Sequence, residues 1–104
     1  MSDKSHTVGE LHRGYLKRSD ERILQLKEWI AAQNDEYERM QRELSTLAQL
    51  NDDAAIKKRS NLVKDMSVAN AYVRTWEAEI NLLETYGRNV RTELELLEAE
   101  YGGN

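Results

Sequence analysis

Apolar residues recur three and four positions apart through most of the chain, and this repeat, broken once, most constrains the fold. In the first half it runs through Leu16, Ile23, Leu26, Ile30, Tyr37, Met40, Leu44 and Leu47, with Ser19 and Gln33 as polar members of the same frame. The second half carries Leu62, Met66, Ala69, Val73, Trp76, Ile80, Leu83, Val90, Leu94, Leu97 and Tyr101; at Gly87 the frame has no side chain. On an α-helix such spacing gathers these residues into one stripe, the a and d positions of a heptad. No proline interrupts either half, so each can run as one long helix.

The two frames are out of phase. Counted in sevens, the first has an a position at Asn51 and the second at Arg59, eight residues later. A continuous helix would turn its stripe by about 100° there, so the chain is expected to reverse. The expected fold is all-α: two long antiparallel helices in a coiled-coil-like hairpin, completed to a four-helix bundle by self-association or by a partner. The chain is expected to be one domain, with a flexible tail over residues 1–7, helix 1 over about 8–50, a hinge over about 51–60 and helix 2 over about 61–101. Thr7-Val8-Gly9-Glu10 has the form of a capping box, and Gly102-Gly103 the form of a helix stop.

Two registers satisfy the paired frames. In the tight one, facing residue numbers sum to 106, so that Tyr37 meets Ala69, Ile30 meets Trp76 and Ser19 meets Gly87. In the longer one the sum is 113, and Leu44 meets Ala69, Tyr37 meets Trp76, Leu26 meets Gly87 and Leu16 meets Leu97. Directly facing charges favour the longer register. It sets Arg13 against Glu98, Asp20 against Arg91 and Arg22 against Glu93, whereas the tight one sets Arg13 against Arg91 and Asp20 against Glu84. Against it stands Asp52 or Asp53, a good N-cap for a helix starting at Ala54. The charge pattern tips the expectation to the longer register, with Ser60 capping helix 2 and Lys57-Lys58-Arg59 held out at the end.

One seam is a thin core for a chain of 104 residues. A second stripe flanks it: Val68, Tyr72, Leu82, Tyr86 and Leu96 on helix 2, with Tyr15 and Trp29 on helix 1. Aromatic-bearing stripes outside the main seam mark interfaces, so these seven form the expected partner surface. Trp76 reads as core and Trp29 as an anchor.

No catalytic chemistry emerges. Cysteine is absent, neither His6 nor His12 lies in a metal-binding frame, and Glu77-Glu79 and Glu93-Glu95 are two residues apart, so on a helix they diverge. His6 with Glu10 reads as a solvated pair, and His12 as a polar seam position. No catalytic, cofactor or metal residue is expected. Arg13, Lys17 and Arg18, and separately Lys57, Lys58 and Arg59, form basic groups suited to an anionic partner. The net charge of −4 and the interleaved acids weigh against nucleic acid as the main target.

Leu26-Lys27-Glu28-Trp29-Ile30 resembles the tryptophan region of the first helix of a spectrin-type repeat, but the sequence has one reversal and not the two such a repeat needs. The length is similar to that of the secreted Trp-x-Gly hairpins, yet no Trp-x-Gly stands at the hinge. No family is assigned. The expected function is a non-enzymatic protein-protein interaction module (scaffold, adaptor or assembly component) acting through helix-helix packing. The alternative is a small inhibitor or regulator of a nucleic-acid-handling complex that uses its charged ends. Without an apolar N-terminal run or a membrane-length apolar segment, a soluble, cytoplasmic protein is expected.

Overall fold

The computed structural model describes the backbone of residues 3–101 and the side chains of residues 8–100. It contains two helices, α1 (Asp3–Leu47) and α2 (Asp53–Tyr101), which pack against each other as an antiparallel hairpin. The expected Gly102-Gly103 stop lies outside the described residues. Among those described, no helix is long and apolar enough to cross a membrane.

Both helix starts differ from the expectation. α1 begins at Asp3, so Thr7 is inside the helix and not at its cap. α2 begins at Asp53, and the expected 51–60 hinge contracts to residues 48–52. Asp52 is the N-cap residue in backbone terms, because its carbonyl accepts the first helical bond, from the Ile56 amide at 3.1 Å. The Leu50 amide bonds the Leu47 carbonyl at 3.0 Å and folds the chain back. Arg59 completes the closure. From the second turn of α2 its guanidinium donates to the carbonyls of Leu47 and Leu50, placing a cation where α1 ends with its carbonyl dipoles exposed. With these partners, Ala54 to Ser60 have no reason to leave the helix. Ala55 becomes a buried seam residue one heptad before Leu62.

The chain divides into two compact units, residues 26–78 around the turn and residues 1–25 with 79–104 at the termini. In the turn unit, Met40, Leu62 and Ala69 form a buried cluster with Leu44, Leu47 and Met66 packed against it. Tyr37 and Ala69 line one small cavity, and the Trp29 and Trp76 rings meet with centroids 5.6 Å apart. These are neighbours of the tight register. Within the terminal unit, Leu16 Cδ2 lies 3.9 Å from where a Gly87 Cβ would stand, and Leu94 Cδ1 lies 3.7 Å from the same point at Gly9. The longer register would place Leu16 against Leu97, so it is excluded there too.

The ion pairs nonetheless match part of the longer register's pattern. Two pairs assigned to the longer register, Arg13–Glu98 and Arg91–Asp20, are present, each at 3.4 Å. Side chains on a helix lean towards its N-terminus, and in an antiparallel pair two such leans converge from opposite directions. On this edge Arg13 and Asp20 reach partners seven residues beyond those set directly across, whereas on the other edge Arg22 reaches back the opposite way to Glu79. Scoring only facing residues credited these pairs to the wrong alignment.

Candidate interaction surfaces

The seven expected interface residues belong to both units and are taken unit by unit. In the turn unit, Trp29 stands at the edge of the seam, 38% exposed. Its ring lies tilted on Trp76 at 54°, and Tyr72 stacks on Trp76 at 5.6 Å and 26°. Aromatic rings prefer these tilted and offset geometries, so the three make one continuous aromatic surface. Trp76, expected as plain core, is its middle member and is half-buried. That role was legible only once Trp29 and Trp76 were known to be neighbours. Beside the rings runs an open groove of about 280 Å³ with Met40, Leu62, Val68 and Tyr72 along it and Glu36, Arg39 and Asp65 at its polar margin. Arg39 donates to Glu36 and Glu43 on its own helix, and this guanidinium holds the Glu36 carboxyl below the usual carboxylate range.

In the terminal unit, Leu82, Tyr86 and Leu96 are each more than half exposed, while Tyr15 is half-buried. The unit is laced by ion pairs between its helices. Arg22 Nε donates to Glu79 Oε2 at 3.1 Å, in place of the expected Glu93. Glu93 is taken by His12, whose Nε2 lies 2.8 Å from Glu93 Oε2 while its Nδ1 lies 2.7 Å from the Val8 carbonyl. Both ring nitrogens thus face acceptors, which only the imidazolium satisfies in full. The Glu93 hydrogen bond, and then the Val8 carbonyl, raise the His12 pKa.

Exposed large apolar residues are unevenly placed. Val8, Leu11, Trp29 and, in the turn, Leu50 share the c and g heptad positions with Val68, Tyr72, Leu82, Tyr86 and Leu96 of α2. Among the described residues, Leu24, Ile56 and Val63 alone lie on the b and e side. Of these, Ile56 falls inside the expected hinge, a stretch not read as helix, while Val63 lies in the expected helix 2, off both stripes.

The basic residues remain two separate groups, Arg13, Lys17 and Arg18 in the terminal unit and Lys57, Lys58 and Arg59 in the turn unit. Arg13 is engaged by Glu98, and Arg59 closes the turn. Lys17, Arg18, Lys57 and Lys58 are exposed. Among the described residues, no three His, Cys, Asp or Glu side chains come together as a metal-ion set. Compared with protein-family models, curated sequences and solved structures, the chain gives no significant match in any of the three.

Proposed function

We propose that this chain is a protein-protein interaction module that works by helix-helix packing, as a scaffold, adaptor or assembly component, and not an enzyme. The observation that carries the reading is the balance of apolar side chains. Among the described residues, Leu26 is the one large side chain buried completely, whereas Val68, Tyr72, Leu82, Tyr86 and Leu96 on α2 are all more than half exposed. A helix with one apolar stripe on its partner and large apolar residues on another side suits packing against a further helix. The Trp29–Trp76–Tyr72 rings supply rigid aromatic area of the kind that dominates interface energies.

The test is affinity capture from host-cell extract with the wild-type chain beside Trp29→Ala and Leu82→Arg variants. The reading expects a defined partner or self-association that at least one variant weakens. A compact, folded monomer that captures nothing, or binding that both variants leave unchanged, overturns it. Salt-dependent retention of DNA or RNA would instead favour the regulator that acts through charged ends.

A further inference from the structure

Helix α2 carries a second heptad track, on the side turned away from α1. From Val68 on, its c and f positions read Val68, Ala71, Thr75, Ala78, Leu82 and Thr85, and the three-four spacing continues to Ala99 without one charged residue; before Val68 the same track carries Lys57 and Lys64, and every position is exposed. The outward c and f positions of α1 from 18 to 42 read Arg18, Glu21, Gln25, Glu28, Ala32, Asp35, Arg39 and Arg42, six of the eight charged. One outer face is therefore built for water and the other is not. The threonines reinforce the contrast. Thr75, Thr85 and Thr92 each donate their hydroxyl to the carbonyl four residues earlier, at 2.9, 2.8 and 3.0 Å. Their polar atoms are already satisfied, and covering them costs little desolvation.

We infer that the partner of this face is a second copy of the chain, with the two α2 helices packed antiparallel; the inference rests on the interaction-module reading above. Size complementarity points to it. When the helices overlap over their full length, Val68 faces Thr85 of the second copy, Ala71 faces Leu82 and Thr75 faces Ala78, so large residues meet small ones through the middle of a self-complementary contact, while Lys64 faces Asn89 and Lys57 faces Leu96 towards its ends, where long stems keep their charges in water. Charge points to the same alignment. The flanking positions then set Lys58 beside Glu93 of the second copy, Tyr72 beside Glu79, and Arg74 beside Asn81, with no like charges opposed. A slip of one heptad in either direction sets Arg74 against an arginine and Glu79 against an acid. A slip of two heptads leaves one end of the helix uncovered.

The chain has no cysteine, which makes the alignment directly readable. Full-length Ala71→Cys and Leu82→Cys chains are mixed, oxidised and resolved by mass. The expected product is the 71–82 disulfide between copies. An Ala71→Cys chain linked to itself would show parallel packing, and no interchain disulfide would show no such contact; either overturns the inference. Sedimentation of the unmodified chain is expected to give a dimer. Leu82→Arg is expected to raise its dissociation constant about a hundredfold or more, since two leucines leave the contact, with helical content unchanged because Leu82 points away from α1. A wild-type monomer, or a dimer indifferent to Leu82→Arg, rejects the second copy. The interaction-module reading survives that result only if the monomer binds a different protein through Leu82 or Trp29.

Discussion

Gly87 stands at a buried seam position in the middle of a long helix, where glycine is the weakest of the ordinary choices. Replacing it with alanine tests both the helix and the register. No glycine among the described residues has positive φ, so the backbone accepts a Cβ without strain. The added methyl would lie 3.5 Å from Arg91 Nη1 and 3.9 Å from Leu16 Cδ2, both ordinary contacts. Helix propensity contributes roughly 0.5–1 kcal/mol, and partial burial of one methyl adds up to about 0.8 kcal/mol. Gly87→Ala is therefore expected to stabilise the chain by about 1–1.5 kcal/mol, a rise of several degrees in Tm at ~4–8 °C per kcal/mol. Gly14→Ala is the control. There a methyl would meet only the flexible tip of Arg18, at 3.3 Å, so it gains propensity without a cross-helix contact. Urea unfolding followed by circular dichroism gives both values. If Gly87→Ala destabilises the chain, or gains less than Gly14→Ala, then Leu16 does not pack on Gly87 and the register is wrong.

Two further perturbations address the ends of the hairpin. His12 has a folded pKa raised above 6.5 by Glu93 and the Val8 carbonyl, so its contribution is fully present below the unfolded value and is lost as pH rises through the folded one. The urea midpoint is expected to fall as pH rises above about 6.5, and the His12→Gln variant to lose most of that slope; an unchanged slope would remove the His12–Glu93 pair from the account. Arg59→Met keeps the side-chain stem but gives up the bonds to the Leu47 and Leu50 carbonyls, with an expected loss of about 1–2 kcal/mol given the partial exposure of the turn. Unfolding measurements that show no loss would mean the turn closes without it.

The seam was legible because a three-four repeat admits one helical face, and every described member of the sequence-derived frame is buried or half-buried. The reversal was legible from the eight-residue phase step between Asn51 and Arg59. Its extent was not. Lys57-Lys58-Arg59 looked like a solvated run because the acceptors for Arg59 belong to the other helix, and sequence spacing does not display carbonyls left over at a distant helix end. The ion pairs misled for a related reason: Arg13 and Asp20 find partners along the direction in which side chains lean, a property of the helix and not of the residue list. The aromatic cluster required the register first, since Trp29 and Trp76 are far apart in sequence.

Those leaning ion pairs bear on how the two strands of charge resist sliding. Arg13–Glu98 and Arg91–Asp20 would still be satisfied, and more directly, if the helices moved by one heptad towards the longer alignment. They are degenerate between the two states and oppose slippage in that direction only weakly. The restraint falls to contacts that fit one alignment alone: Arg22–Glu79 and Leu16 at Gly87 would be lost, and at the turn such a shift would have to unravel the first turns of α2 and pull Arg59 off the carbonyls it holds. A loop lengthened by one heptad between Ala48 and Asp52 would remove the restraint at the turn, and in the terminal unit would leave Arg22–Glu79 and the packing at Gly87 to hold against the alternative that Arg13 and Asp20 also fit.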